Sequence, residues 1–250
     1  MSFYMDSDKG NVRKNNEDSF LFEKYEKLNI LILADGMGGH EDGEIASKMA
    51  VDFVMNFIKS NYKFYTDFNR LLVDAFCKSN EFIYDANLKK LSKNAPDIEK
   101  MGTTLETLIV VKDMLYFAHV GDSRIYLKDK SNLKQITKDH SLVEYLYSNG
   151  AITKDEADNF EQKNSILRAI GVEQVVEVDT GKIKLSDGDI LVVCSDGLTN
   201  ELSDIEISNI LDLNMDSEKL VKFMIDTVKK KTAKDNVTVG IYKYKEVIWW

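Results

Sequence analysis

The stretch "DSFLFEKYEKLNILILAD" (Asp18 to Asp35) contains two β-rich runs, "SFLFE" and "NILILA", separated by the charged segment "KYEKL". Two such runs around a short polar connection predict a β-hairpin. With the turn centred between Tyr25 and Lys27, antiparallel pairing sets Asp18 opposite Asp35. Two carboxylates are therefore expected side by side at one sheet edge. They repel each other, and one must hold a proton unless a cation neutralises them.

The second strand runs directly into "LADGMGGHEDGE", a burst of glycines after an aspartate. A dinucleotide fingerprint beginning at Gly36 needs glycines at 36, 38 and 41, but position 41 is Glu41, and Asp35 would repel a pyrophosphate. The chain has no GxxxxGK[ST] phosphate loop and no GxSxG nucleophile elbow. The glycines are better read as a tight turn that brings the Gly36 carbonyl to a metal beside Asp35.

Beyond this turn the pattern alternates. Ala46, Ala50, Phe53, Val54, Phe57 and Ile58 recur at helical spacing, predicting a helix from Gly43 to about Asn61, and a second is expected over about Thr66 to Leu91. "TTLETLIVV" and "MLYFAHV" flank the two-residue turn Lys112-Asp113, a hairpin whose register sets Thr103 beside Asp122, and "RIYLKD" follows as a strand. Ser141 to Ile170 reads as short helices with a turn at Asn149-Gly150 and less apolar content. "VVEVD", "GKIKL" and "DILVVCS" read as strands, then come helices over about Asp204 to Leu213 and Ser217 to Lys231, and a last strand "NVTVGIYKY". Short turns between strands, with helices in pairs, indicate an α+β fold of antiparallel sheets covered by helices rather than a parallel winding.

The chain has 250 residues, 44% of them hydrophobic, a single proline (Pro96) and no linker-like stretch, so one domain over 1–250 is expected. A net charge of −9 argues against binding nucleic acid, which needs a basic stripe. No apolar run reaches the ~20 residues of a membrane span, and "MSFYMDSDKG" lacks signal-peptide character. A cytoplasmic protein off the membrane is expected. Cys77 and Cys194 are expected to be buried, reduced thiols, and His119 and His140 to be structural.

The chemistry lies in where the acids fall. Asp18, Asp35, Asp122, Asp196 and Asp235 each abut a predicted strand end. One such aspartate is ordinary turn chemistry, but five together are not. An all-oxygen donor set without a Cys/His cluster selects Mg²⁺ or Mn²⁺ over zinc. Two such ions about 3.5–4 Å apart lower the pKa of a shared water and aim it at phosphorus. Arg13, in "GNVRKNNED", offers a guanidinium fork that fits a phosphate dianion.

"SDKGNVRKNNEDS", "LADGMGGHEDGEIAS", "MGTTL", "VGDSRIYL", "TKDHS", "LRAIG", "DGDILVVCSDGLTNEL" and "KDNVTVGIY" resemble, in order, the motif set of the metal-dependent type 2C protein phosphatases, especially their compact bacterial branch. The resemblance spans about Ser7 to Tyr244. It implies a four-layer α/β/β/α sandwich, two antiparallel sheets flanked by helix pairs. It also implies a metal set: Asp35, Asp196 and Asp235 for a first ion; Asp35, the Gly36 carbonyl and Asp18, directly or through water, for a second; Asp122 with Asp196 for a third, weaker one. Arg13 would bind the substrate phosphate, Glu17 and Asn236 would orient metal-bound water, and residues 141–170 would form a flap beside the site.

The activity implied is Mn²⁺- or Mg²⁺-dependent hydrolysis of phosphoserine and phosphothreonine in proteins by a metal-bridging hydroxide, without a phosphoenzyme. The partners implied are phosphorylated proteins, a serine/threonine kinase and its substrates among them, for a monomeric enzyme. Where eukaryotic members carry a histidine proposed as general acid, this chain has Met37; His40 and a metal-bound water are the candidates to replace it. The alternative is a non-catalytic or narrow-specificity regulatory member that binds phosphoproteins, against which stands the presence of all five aspartates and Arg13. Trp249 and Trp250 receive no role.

Overall fold

A computed structural model of the protein describes residues 2–38, 42–91, 100–160, 165–213 and 215–246. His40, Pro96, Trp249 and Trp250 lie outside the described residues. One sheet has the spatial order β1 (Ser2–Asp8), β11 (Val237–Lys243), β10 (Ile190–Cys194), β7 (Arg124–Lys128) and β8 (Leu133–Gln135). The other runs β2 (Asp18–Tyr25), β3 (Leu28–Met37), β5 (Leu105–Val111), β6 (Met114–Val120) and β9 (Asp179–Lys184), with β4 (Gly102–Thr103) paired to the end of β3. Every described strand pairing is antiparallel.

Strand alternation builds the layers. Successive side chains of β3 point to opposite faces, so Ile30, Ile32 and Ala34 enter one core while Leu31 and Leu33 enter another. The first core is closed by α1 (Asp42–Asn61) and α2 (Phe68–Leu91), whose Ala46, Ala50, Val54, Ile58, Leu72 and Phe76 are buried there. Leu31 and Leu33 instead meet Ile125, Leu191 and Val193 of the other sheet, forming the core between the sheets. On the far side, Val192, Cys194, Val237 and Val239 pack under α5 (Asp196–Thr199), α6 (Asp204–Leu211) and α7 (Ser217–Lys230). The result is the four-layer α/β/β/α sandwich.

Local signals start the outer helices. Ser203 and Glu206 form a reciprocal capping box on α6, and Asp216 caps α7 by accepting from Lys219 N–H at 2.8 Å. Residues 141–170 contain α3 (Leu142–Ser148) and α4 (Lys154–Asp158), and α3 buries no side chain, in keeping with its weak apolar pattern. The segment is pinched at its base by isolated bridges, Ser141 with Ile166 and Thr103 with Ile170.

Three expectations need correction, and one strand was not expected. "VVEVD" (175–179) is not a strand: β9 begins at Asp179, and Val176 is buried against the α1/α2 core without a ladder. β1 is a strand that its mixed polar sequence does not announce, formed because β11 offers a free edge. Thr103 pairs with Gly36, not Asp122, because the β5–β6 ladder ends at Leu105 and Val120 and β4 turns toward β3. Cys77 is exposed, since it falls outside the Leu72, Ala75, Phe76 and Ile83 stripe of α2; Cys194 is buried.

Candidate metal centre

The hairpin register places Asp18 directly opposite Asp35 at the end of the second sheet. Asp122 leaves β6 through Gly121, Asp196 opens α5 just after β10, and Asp235 precedes β11. Both sheets therefore deliver acids to the same end of the sandwich. Asp18 and Asp122 are buried, and Asp35, Asp196 and Asp235 are half-buried.

Glycines allow this convergence. A Cβ on Gly36 would stand 2.1 Å from the Gly43 carbonyl oxygen, so only glycine lets the end of β3 touch the start of α1. A Cβ on Gly197 would stand 1.9 Å from the Asn236 oxygen, so the same device presses α5 against the entry to β11. Gly121 has φ +123° and packs on Thr104, which turns the chain sharply before Asp122.

Each carboxylate has an identifiable environment. Asp18 Oδ2 accepts from Ser195 Oγ at 2.9 Å and Thr238 Oγ1 at 2.6 Å, whereas Oδ1 is buried without a hydrogen-bond partner. Burial, opposed by those two hydroxyls and assisted by repulsion from Asp196 and Asp235, pushes the Asp18 carboxyl up to about 7. Asp35 is raised well above the carboxylate range by burial and by the field of Asp18, Asp196, Asp122 and Asp235. Asp122 rises to about 8 through burial and Asp196, Asp139 and Glu106. Asp196 rises to about 6 through burial and Asp235, tempered by Asn200, which donates to Asp196 Oδ2 at 3.0 Å.

This is the chemistry of a donor set made for a cation. An unpartnered buried carboxylate oxygen is expensive, and repulsion among buried carboxylates is relieved by a bound ion. The residues fit Mg²⁺ or Mn²⁺, because the donors are oxygens. Among the described residues no three acidic, His or Cys side chains yet converge as a finished cage, as expected of acids that repel and lean on Ser195, Thr238, Asn200 and Arg13.

Arg13 is exposed, and its Nη2 lies 2.8 Å from Asp235 Oδ2. Its loop is held by Asn236, which donates both amide hydrogens, to Lys9 O at 3.0 Å and Asn15 O at 2.9 Å, and accepts from Glu17 N–H at 2.8 Å. The Asn236 amide is thus committed to loop 9–17. Glu17 Oε2 lies 2.8 Å from the position a Gly43 Cβ would take, and burial raises its carboxyl. Met37 is half-buried in β3 opposite Gly102. Beside Asp122 and Asp196 opens a cleft of about 480 Å³, lined also by Arg124, Asp139, Glu144 and Tyr147.

Sequence reasoning missed Ser195, Thr238, Asn200 and Thr104. Thr104 Oγ1 accepts from Asp35 N–H at 2.9 Å, and Asp35 O accepts from Thr104 N–H at 2.8 Å. The available signal was a hydroxyl or amide near a motif aspartate, in "CSDGLTN" and "DNVT"; Thr104, in "MGTT", has no such neighbour.

The family model "Protein phosphatase 2C" matches residues 11–238. The serine/threonine phosphatase stp of Listeria welshimeri is 36% identical over 234 residues, covering 93% of this chain and 92% of that protein. Among solved structures, the S. agalactiae serine/threonine phosphatase has a TM-score of 0.84 at 36% identity, covering 98% of this chain and 99% of that one. The catalytic domain of the phosphatase PstP, in complex with two manganese ions, has a TM-score of 0.81 at 33% identity, covering 96% of each chain.

Proposed function

The chain belongs to the protein phosphatase 2C family of metal-dependent serine/threonine phosphatases, and from that premise we propose that it hydrolyses phosphoserine and phosphothreonine on proteins at the acidic cluster just described. The observation that carries the assignment is the Asp18–Asp35 cross-strand pair, with Asp18 Oδ1 buried and bare in the field of Asp196 and Asp235. In this reading Asp35, Asp196 and Asp235 hold one Mn²⁺ or Mg²⁺, Asp35, the Gly36 carbonyl and Asp18 a second, and Asp122 with Asp196 a third. Bound ions supply charge neutralisation for the phosphate and acidify water for attack on phosphorus.

The chain's own groups do the rest. Arg13, already drawn to Asp235, presents its fork to the phosphate dianion at the rim of the cluster. Asn236 keeps its loop in place. Ser195 and Thr238 hold Asp18 by one oxygen and leave the other for the ion. Glu17 stands at the start of α1 as a proton acceptor for water in the cluster. His40 is proposed to protonate the leaving alkoxide, since the Met37 thioether carries no proton to give. We further propose that residues 1–250 act as one monomeric catalytic domain with 141–170 as its flap, in the cytoplasm, opposing a serine/threonine kinase. Among the described residues no helix is long and apolar enough to cross a membrane.

The test is hydrolysis of a phosphothreonine peptide with Mn²⁺ or with chelator, comparing wild type with Asp35→Asn and Asp196→Asn. Turnover should require metal and fall on the order of 100-fold or more in both variants. Metal-independent turnover, or full activity in the variants, sinks the reading. His40→Gln should slow the peptide far more than an aryl phosphate, whose leaving group needs little protonation. Equal slowing of both substrates removes His40 from that role.

A further inference from the structure

Glu106 on β5 and His119 on β6 face each other across the ladder, and both are fully buried. His119 Nδ1 lies 3.0 Å from Glu106 Oε1. A buried ionisable pair is costly, and apolar side chains of similar size stabilise a fold as well or better. Stability alone therefore does not account for this pair beneath the metal centre.

The pair reaches out in two directions. On one side Glu106 Oε2 lies 3.4 Å from Thr104 Oγ1, the atom that accepts from Asp35 N–H. On the other, His119 Nε2 lies 3.0 Å from the Lys138 carbonyl, which can only accept, so Nε2 carries a proton and a second proton is shared between Nδ1 and Glu106. This contact holds the segment 138–140. There Asp139 Oδ2 takes Arg124 Nη2 at 2.7 Å, and His140 clamps Gly121 from both sides. Gly121 N–H donates to His140 Nδ1 at 3.1 Å, and His140 N–H donates to Gly121 O at 2.7 Å. Gly121 is the turn that aims Asp122.

We propose that Glu106 and His119 are positioning residues of the metal centre: as one unit they hold the two loops that present Asp35 and Asp122. The inference rests on the reading that these aspartates carry ions. It is tested by titrating the full chain with Mn²⁺ in a calorimeter, without substrate, alongside melting in EDTA.

Glu106→Leu combined with His119→Phe should melt in EDTA near the wild-type temperature yet bind Mn²⁺ about 10–100-fold more weakly. Glu106→Gln, whose amide N–H can donate to a neutral His119 Nδ1 while Nε2 still holds Lys138, should stay within about threefold of wild type. His140→Leu removes the Nδ1 acceptor of Gly121 N–H, along with the Nε2 contacts to Arg168 and Asp179, but keeps the backbone bond to Gly121 O; it should weaken the ion that depends on Asp122 and no other. A folded double variant with the wild-type isotherm overturns the inference, as does a Glu106→Gln as weak as the double variant. Should the double variant fail to fold, a wild-type isotherm from His119→Leu alone, which releases the Lys138 carbonyl, overturns it equally. Wild-type protein that takes up no Mn²⁺ overturns the site reading as well, whereas wild-type binding in the double variant overturns this inference alone.

Discussion

Asp35 stands in the field of four other carboxylates, and its backbone is held at both N–H and C=O by Thr104. It is thus fixed in place by neutral groups that do nothing to relieve its charge. Asp35→Asn should therefore raise the melting temperature of the metal-free protein at pH 8 by several degrees, roughly 2–4 °C per kcal/mol of repulsion removed, while abolishing Mn²⁺-induced stabilisation. A lower melting temperature in EDTA would show that the carboxylate is satisfied without metal. Thr238→Val removes one of the two donors to Asp18 Oδ2 and should weaken Mn²⁺ binding about tenfold with kcat restored at saturating metal, measured by metal-dependent turnover. The sequence marks some of these small polar residues only by their closeness to a motif aspartate, which does not say what they bind. A buried threonine in a strand reads as β-propensity, and only the fold shows that its hydroxyl meets an aspartate more than 200 positions away.

Among the elements, those with strong local signals were legible and those defined by a partner were not. The β2–β3 register follows from alternation and turn length alone, and so the Asp18–Asp35 pair was readable in the sequence. β1 and the two-residue β4 exist because β11 and β3 present edges to them, which no local pattern encodes. "VVEVD" has strand composition, yet only its last residue joins a ladder, and Val176 is drawn instead into the α1/α2 core. The joints between elements carry their own prediction. Gly197→Ala drives a methyl into the Asn236 carbonyl and must part α5 from β11, separating Asp196 from Asp235. Mn²⁺-dependent turnover should drop on the order of 100-fold, and wild-type activity would show that the joint yields freely. Leu33→Ala, in the core between the sheets, should cost ~2–5 kcal/mol in denaturant unfolding and spare metal affinity in the folded fraction.

Across the whole molecule, the acidic cluster makes stability a function of pH and metal together. The Asp18, Asp122 and Asp196 carboxyls are raised to about 7, about 8 and about 6 from 3.8. A carboxyl raised by folding binds its proton more tightly in the native state, so its contribution is fully present below about pH 4 and lost as the pH climbs through the native values. In EDTA this contribution drains between about pH 4 and 8. The melting temperature gained by adding Mn²⁺ should accordingly widen from pH 5.5 to pH 8, and a gain independent of pH would contradict the raised values. Chain order adds a further consequence. β1 is hydrogen-bonded to β11, and Asp18 is held by hydroxyls of residues 195 and 238. During synthesis the first strand must wait, its edge open, until β11 has emerged. No chain that lacks residues 195 to 238 can assemble the ion-binding pocket, so metal capture reports that β11 has been made and has paired with β1.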